Sequence, residues 1–521
     1  MEDRTLLKKV IDDFSLKEVT VKELVTGYEE GKYTAEEVVQ SYLNRIETYE
    51  ENYNAFTFMN SQALEEAREI DRLRSKGKAL GPLAGVPIVI KEAVDVAGFP
   101  TTFGWAALCK ESGGIELLPK SDAPIVTRLK EAGAIILGKT NMPAFSARMD
   151  SANTSWDGPT YNAVDRSFSP GGSSSGTATA VSGNFSVLGI AEETGGSIQM
   201  PAASQAIVGI KTSFGLVPTK GVTPLGGSTR DVLGTHARTV EDAALMLGVI
   251  AGYLEEDPKT KASIGKVPSE GYTVDLSEKA LQGKRLGLFG PRWSSKELSE
   301  ETNELYAREI NELEKLGAVV VADPFSGSGF VEYVESLGND LARMLLGLDS
   351  VFHDLEKYLK NLDPEDDTIS MKTVFERAGE FPWSENGPLN LVHLIANPEE
   401  AMANCDHYDL TYFNEIRNKL LNFIEGVMDK HGLDGFVFPQ MMTSITLFEE
   451  GTGLEGIATT VSEVNISGLP LVTVPAGYYQ NGSPFALVFM GEMWSEAKLL
   501  GFSYAYEQAT KHRMAPMLVK E

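Results

Sequence analysis

Two short glycine–serine segments contain the side chains best suited to nucleophilic chemistry. Ser173 lies in the first, Ser169–Gly176, and Ser197 ends the second, Glu193–Ser197, which directly follows a predicted strand. Glycines immediately before a serine let backbone N–H groups converge beside the hydroxyl, which is the geometry of an oxyanion hole. Flexible turns would have the same composition, so either segment alone is also compatible with a purely structural role.

A serine used as a nucleophile needs a base beside it. Gly172–Gly176 has the G-x-S-x-G spelling of α/β-hydrolases, whose serine works with a downstream acid and a histidine. Only His431 and His512 follow residue 430, and neither belongs to a glycine-rich loop at a predicted strand end. His512, between a lysine and an arginine, is expected in a solvated tail. A histidine base is therefore disfavoured.

Lysine is the other side chain that can act as the base, provided that burial keeps it neutral. Lys91 ends the apolar run Val86–Ile90 and would emerge there from the interior of a sheet. A lysine that only marks the end of a strand would look the same, so this residue alone does not decide between the two roles.

A second spelling in the chain suggests a phosphate loop. Gly133–Thr140 matches G-x-x-x-x-G-K-[ST] in every position. Its middle, Ala134–Leu137, is an apolar run that itself indicates a strand and not a flexible cradle, so nucleotide binding is disfavoured. No two histidines have the spacing of metal ligands, and we predict no metal site.

The predicted secondary structure that would position these residues differs from one segment of the chain to the next. We expect one domain over residues 1–521, with an N-terminal helical layer at 1–80 and a core at 81–250. A variable inserted lobe follows at about 253–430, and the chain returns to the core at 434–521. In the core, short apolar or β-branched runs alternate with helical stretches, which predicts an α/β fold with a mixed or largely parallel sheet.

Composition excludes several classes of partner. The formal net charge is -28, which argues against a nucleic acid or an anionic membrane surface as a partner. The sequence contains no apolar run of about 18 residues, so we predict no transmembrane helix. Two cysteines, Cys109 and Cys405, are too few for a disulfide framework and fit a reducing compartment. We therefore expect a cytoplasmic protein.

Blocks spread over nearly the whole chain resemble the amidase signature hydrolases. In that family a Gly-Gly-Ser-Ser-Gly-Gly block precedes an Asp-Thr-Gly-Gly-Ser block, and its two reactive serines have the same separation as Ser173 and Ser197. Four further blocks fit the pattern in the same order: Gly138–Met142, Gly158–Asn162, Ala237–Val240 and Asn465–Pro470. In this family Gly138-Lys139-Thr140 is a structural turn, which also explains the phosphate-loop spelling.

The resemblance implies a mechanism without a cofactor. Ser197 attacks the carbonyl of a small amide, while Ser173, in a cis peptide, passes the proton of Ser197 to neutral Lys91 and later returns one to the leaving amine. Water then hydrolyses the acyl-enzyme. The implied fold is a large mixed, twisted β-sheet covered by helices on both faces. The implied oxyanion hole consists of the backbone N–H groups of Thr194, Gly195, Gly196 and Ser197.

Four departures from the family pattern surround these residues. Ser175 replaces a glycine, Glu193 an aspartate, and Gln199 an arginine that normally pairs with that aspartate, while Thr212-Ser213 replaces Pro-Thr. These changes leave the three catalytic candidates in place and are expected to affect the rate and the shape of the pocket.

The substrate is less well defined than the reaction. Met149 and Asp150 are candidate substrate-binding residues, within a segment, 146–151, that matches the family poorly. Aromatic residues of the lobe and its flank favour an apolar or aromatic amide, with esters and carbamates as further candidates, although such residues also form cores. A glutaminase subunit of a tRNA-dependent amidotransferase and a catalytically silent binding protein are the alternatives, and a homodimer is left open. The aromatic residues are Phe330, Tyr333, Phe352, Tyr408 and Phe448.

Overall fold

The computed structural model describes residues 16–147, 154–290, 297–345, 347–348, 350–389, 397–406, 408–450 and 454–519. Within these ranges eleven strands form a single sheet in the order β1-β3-β2-β4-β6-β5-β10-β11-β9-β7-β8. The strands are β1 Phe56–Met59, β2 Pro87–Lys91, β3 Ile135–Thr140, β4 Leu188–Glu193, β5 Val208–Lys211, β6 Val232–Ala237, β7 Arg285–Leu288, β8 Val319–Val321, β9 Gly435–Pro439, β10 Leu471–Tyr478 and β11 Pro484–Met490.

The sheet is mixed. Strand β2 runs parallel to both of its neighbours, β3 and β4. From β4 through β6, β5, β10 and β11 to β9, each neighbouring pair is antiparallel. Strands β7 and β8, which the chain forms between residues 253 and 430, extend the far edge with parallel pairing. The predicted α/β class is confirmed, and of the two predicted kinds of sheet the mixed one is found.

Helices occupy most of the connections between strands. The longer ones are amphipathic or lie on the core with apolar residues. In the described ranges they are α1 Val21–Glu29, α2 Ala35–Tyr53, α3 Ala63–Ser75, α4 Pro124–Glu131, α5 Ser175–Ser182, α6 Gln199–Ser204, α7 Val240–Ile250, α8 Glu300–Lys315, α9 Phe330–Leu337, α10 Asn339–Leu345, α11 Val351–Leu362, α12 Met371–Ala378, α13 Pro398–Ala403, α14 Thr411–His431, α15 Ser462–Ser467 and α16 Glu496–Thr510.

Local capping explains where several helices begin. The Thr34 side chain accepts from the N–H of Glu37, and the Glu37 side chain accepts from the N–H of Thr34, so α2 starts with the predicted capping box. Thr239 caps α7 in a similar way, with its hydroxyl accepting from the N–H of Asp242. Such caps satisfy N–H groups that a helix leaves without partners at its first turn.

Helices cover both faces of the sheet. In β6 the His236 ring nitrogen Nε2 lies 2.9 Å from the carbonyl oxygen of Ile198, immediately before α6. The preceding residue, Thr235, donates to the carbonyl of Ala243 in α7 at 3.5 Å. Because neighbouring residues of a strand point to opposite faces, α6 and α7 lie on opposite sides of the sheet. The predicted two-sided covering is confirmed.

Every residue of strands β2, β3 and β4 is buried. Parallel strands covered on both faces are nearly continuous apolar runs, and β2 follows this rule up to Ile90. Charged residues then stand at the ends of β2 and β4. In the part of the chain that the structure describes, no helix is both long enough and apolar enough to cross a membrane.

Candidate active site

Lys91 and Glu192 face each other across two parallel strands. Ile90 of β2 pairs with Ile190 of β4, so Lys91 and Glu192, one and two residues further along, both lie at the carboxyl ends of these two strands. The Lys91 Nζ atom lies 2.7 Å from Glu192 Oε2 and 3.1 Å from the Glu192 carbonyl oxygen. Both side chains are essentially shut off from solvent, at 0% and 2% exposure. The carboxyl ends of strands are where open α/β sheets usually bind ligands.

The two candidate serines lie next to this pair. The Lys91 Nζ atom is 2.7 Å from Ser173 Oγ, and Ser173 Oγ is 2.9 Å from Ser197 Oγ. Ser173 lies just before α5, and the Gly172–Ser173 peptide bond is cis, as the family resemblance implies. The structure thus brings Lys91, Ser173 and Ser197 together in one hydrogen-bonded line.

The loop from β4 to α6 holds Ser197 and the candidate oxyanion donors. Gly196 has φ +98°, a conformation that strongly favours glycine at this position. Glu193 Oε2 accepts from the N–H groups of Ile198 and Gln199 at 2.7 and 3.1 Å, which fixes the loop where it enters α6. Among the described residues, none accepts a hydrogen bond from the N–H groups of residues 194–197, so these donors are free to bind an oxyanion.

Three of the four departures from the family pattern form side-chain hydrogen bonds, whereas the Ser175 hydroxyl is buried and has no hydrogen-bond partner among the described residues. The Gln199 amide donates to Glu193 Oε1 at 2.8 Å, so the amide replaces an ion pair with a neutral-to-charged contact. The Gln440 amide donates in turn to Gln199 Oε1 at 2.9 Å. Thr212 and Ser213 are buried beside β5, where the Thr212 hydroxyl donates to the carbonyl of Leu233. None of these contacts involves the Lys91 amine.

A second buried carboxylate lies behind Glu192. The Thr194 hydroxyl is 3.1 Å from Glu192 Oε1 and 2.7 Å from Asp231 Oδ1, and its single proton can be given to only one of them at a time. Burial, together with the charge of Glu192, raises the pKa of Asp231 to about 6. The carboxyl group of Asp231 also accepts from the N–H groups of Leu225 and Gly226.

Two histidines differ from the sequence-based expectation. His512 does not lie in a solvated tail, because its Nε2 atom is 3.1 Å from buried Glu309 and its ring contacts Tyr506. Sequence reasoning did not single out His236. Its ring nitrogen Nε2 contacts the carbonyl oxygen of Ile198, the residue that follows Ser197. Burial lowers the pKa of His236 to about 4. Neither ring is hydrogen-bonded to Ser173 or Ser197 in the structure.

The phosphate-loop spelling belongs to a buried strand. β3 runs from Ile135 to Thr140 and includes Gly138, Lys139 and Thr140, so the expected turn at these three residues is wrong. The Lys139 ammonium is buried and donates to the carbonyl of Pro100. The backbone here is occupied by strand pairing and does not form a phosphate cradle. The described residues contain no group of three or more histidine, cysteine or carboxylate side chains that could hold a metal ion.

The predicted substrate-binding residues are less informative. Met149 and Asp150 lie outside the described residues. Most of the aromatic residues of the lobe pack with each other: Phe352 contacts Trp383, and Phe330 belongs to a cluster with Phe325. They are core residues and do not favour an aromatic substrate. Tyr408, by contrast, is exposed at the rim of a cavity of about 520 Å³ that Asp231 also lines.

Comparison with known proteins places this site in a family. A family model described as Amidase matches residues 37–500. The chain belongs to the Amidase family. Its members hydrolyse carbon–nitrogen bonds, which gives the reaction class of the chain, and the resemblance to amidase signature hydrolases is confirmed.

Individual relatives differ in their described roles. A subunit of the glutamyl-tRNA(Gln) amidotransferase of Alkaliphilus metalliredigens (strain QYMF) is 31% identical over 513 residues, 95% of this chain and 96% of the relative. A probable amidase of Arabidopsis thaliana is 30% identical over 519 residues, 97% of this chain and 93% of the relative. The X-ray structure of the native peptide amidase from Stenotrophomonas maltophilia has a TM-score of 0.77 and 31% identity, covering 96% of this amidase-family chain and 99% of that one.

Proposed function

We propose that the protein is a free-standing amide hydrolase that forms an acyl-enzyme on Ser197. The observation that carries the proposal is the line from Ser197 Oγ through Ser173 Oγ to Lys91 Nζ, with separations of 2.9 and 2.7 Å. Serine needs a base to become nucleophilic, and this line connects it to an amine that can accept a proton and return it. The substrate is a small amide, and no cofactor takes part.

Acylation and deacylation each move a proton along this line to Lys91 and then back. As Ser197 Oγ bonds to the carbonyl carbon, its proton moves to Ser173 Oγ, and the proton of Ser173 moves to the Lys91 amine. The carbonyl π electrons move to oxygen, where N–H groups of residues 194–197 stabilise the charge. The C–N bond then breaks as a proton returns through Ser173 to the leaving amine. In deacylation a water oxygen bonds to the acyl carbon as its proton passes through Ser173 to Lys91. The bond between Ser197 Oγ and that carbon then breaks, the proton returns to Ser197 Oγ, and the acid is released.

The glutaminase alternative has its own support, because a relative at 31% identity is named as part of a glutamyl-tRNA(Gln) amidotransferase. The peptide amidase, at the same identity and with nearly complete coverage, supports a free-standing hydrolase equally well. A discriminating experiment uses the purified chain alone. We expect hydrolysis of one or more anilides, peptide amides, fatty amides or carbamates. Ammonia release from glutamine, together with copurifying partner proteins and no turnover of the other amides, would favour the alternative.

The nucleophile is tested by labelling with a fluorophosphonate and peptide mapping. We expect the adduct on Ser197, with labelling and hydrolysis lost in Ser197→Ala, while Ser174→Ala retains both. Ser174 is a matched control, since it is buried beside Ser173 in the other glycine–serine loop and its hydroxyl donates to the Glu192 carbonyl instead of to Ser197. An adduct on Ser173, or an active Ser197→Ala with an inactive Ser174→Ala, would contradict the assignment.

A further inference from the structure

Among the described residues, three oxygen atoms accept hydrogen bonds from the Lys91 amine, and two of them belong to Glu192. These are Glu192 Oε2 at 2.7 Å, the Glu192 carbonyl at 3.1 Å, and Ser173 Oγ at 2.7 Å. A protonated lysine has three N–H donors and no acceptor, so the ammonium form can donate to all three oxygens. A neutral amine has two N–H donors and one lone pair. If both N–H groups point to Glu192, the lone pair points to Ser173.

We infer that Glu192 is a positioning residue for the base, which aims the Lys91 lone pair at Ser173 and pairs with the ammonium that forms during acylation. The inference rests on the proposed role of Lys91 as the base. It adds a side chain that acts through Lys91 without touching the substrate. Sequence reasoning missed Glu192, because nothing in the order of residues shows that β2 and β4 are neighbours.

The charge of Glu192 has two opposite effects on catalysis. In the resting enzyme, a carboxylate at 2.7 Å stabilises the ammonium form of Lys91, which cannot accept a proton. During acylation the same carboxylate stabilises the proton that arrives through Ser173, because a buried ammonium without a counter-charge is costly. Glu192 thus holds the resting amine and also stabilises the ammonium that acylation produces.

Other polar and charged groups also face this pair. The Thr194 hydroxyl links Glu192 to Asp231, and the charge of Glu192 helps burial to raise the pKa of Asp231. Burial, and to a smaller extent the charge of Lys91, lowers the pKa of the His236 imidazole on β6.

Further described groups around the pair are neutral hydroxyls and one guanidinium. They are the Ser146 hydroxyl, 3.5 Å from Glu192 Oε2, the Ser174 hydroxyl, which donates to the Glu192 carbonyl, and the Arg230 guanidinium, which donates to the carbonyl of Thr194.

The test is the rate of fluorophosphonate labelling of Ser197 as a function of pH, which needs no knowledge of the substrate. Labelling forms the Oγ–P bond and expels fluoride, while the Ser197 proton ends on Lys91. The rate rises along an ascending limb of its pH profile, and in Glu192→Gln we expect this limb to move measurably to lower pH, because an adjacent opposite charge is removed. We expect the rate on the high-pH plateau to fall by about tenfold or more, since the new ammonium loses its counter-charge.

The controls separate positioning from structural damage. Glu193→Gln alters the neighbouring acid, which contacts α6 and not the Lys91 amine. The ascending limb of its pH–rate profile should therefore lie at the same pH as in wild type, even if the rate on the plateau changes. Glu192→Asp keeps the charge, so the ascending limb of its pH–rate profile should lie close to that of wild type. If Glu192→Gln does not fold, Glu192→Ser carries the same expectation. Thermal unfolding establishes which variants are folded.

The outcomes distinguish this inference from the proposed function. The inference would be overturned if a folded variant without a charge at position 192 kept the ascending limb at the wild-type pH. If Ser197→Ala was unlabelled in the same experiment, the hydrolase proposal would still stand. A limb that moves equally in Glu192→Gln and Glu193→Gln would also overturn it. Labelling that persists in Ser197→Ala would instead refute the proposed function.

Discussion

The side-chain amide of Gln199, the first residue of α6, donates a 2.8 Å hydrogen bond to the carboxylate of Glu193, the last residue of β4. The other Glu193 oxygen accepts two backbone N–H groups, from Ile198 and Gln199. The Glu193 carboxylate therefore accepts hydrogen bonds from three buried donors. These bonds connect the two ends of the loop that carries Ser197.

Glu193→Gln should consequently destabilise the protein. One carboxylate oxygen becomes an NH₂ group, which cannot accept from the N–H groups it faces, and an unsatisfied buried donor costs about 1–3 kcal/mol. Urea unfolding measures the loss. Glu47→Gln, at an exposed position of α2, should change the free energy of unfolding by less than about 0.5 kcal/mol. Equal effects of the two substitutions would show that Glu193 does not anchor the loop.

Lys91→Met should destabilise the protein by about 3–5 kcal/mol, because it leaves the buried charge of Glu192 without its partner. The double variant Lys91→Met/Glu192→Gln should be more stable than Lys91→Met alone, since no uncompensated charge is left. Free energies of unfolding for wild type, both single variants and the double variant form a cycle that isolates the coupling. Additive effects would mean that the two side chains do not interact as a buried pair.

Thr194→Val should cost about 1–3 kcal/mol at pH 8, because it removes the hydroxyl proton shared by Glu192 and Asp231. The cost should be smaller at pH 5. The pKa of Asp231 is raised to about 6, so below that pH this carboxyl is protonated and no longer repels Glu192. Thr212→Val removes a buried hydroxyl that donates to a carbonyl, and its cost should not depend on pH in this range. A pH-independent cost for Thr194→Val would contradict the shared-proton arrangement.

His236 should make stability fall as the solution becomes more acidic. Its folded-state pKa is lowered to about 4, whereas an unfolded histidine titrates near 6.5. Above pH 6.5 neither state binds the proton and nothing is lost; from 6.5 down to about 4 only the unfolded chain binds it, so stability decreases by up to about 3 kcal/mol. His236→Gln keeps a donor for the Ile198 carbonyl but does not titrate. Subtracting its unfolding free energies from those of wild type between pH 4 and 7 should reveal this slope, and parallel curves would refute it.

The catalytic candidates could be found from the sequence because each is part of a local pattern. Ser173 and Ser197 stand in glycine-rich segments, and Lys91 ends an apolar strand. Glu192 could not be found in this way, because its role depends on the pairing of β2 with β4, and strand pairing between residues about a hundred positions apart leaves no local signal. The same limit applies to His236, which meets Ile198 only through the fold.

Errors of the sequence analysis also have physical causes. The spelling Gly138-Lys139-Thr140 suggested a turn, but strand pairing with β1 and β2 continues through all three residues and extends β3. His512 was expected in solvent because its sequence neighbours are charged, yet Glu309 from α8 binds it. Aromatic residues of the lobe suggested a pocket, whereas most of them fill the lobe's own core, such as the contact of Phe375 with Trp383. Local composition does not reveal which distant surface a side chain will meet.

The pairing of β5 with β10 joins Lys211 to Leu471, across about half of the chain. During synthesis, Lys91, Ser173 and Ser197 have therefore all left the ribosome long before β10 exists. Until then the backbone N–H and C=O groups on one side of β5 remain an open sheet edge, which can pair with other chains and cause aggregation. The nascent chain thus contains Lys91, Ser173 and Ser197 well before the sheet that supports them can be completed. It is most prone to aggregation while the segment between β5 and β10 is being translated.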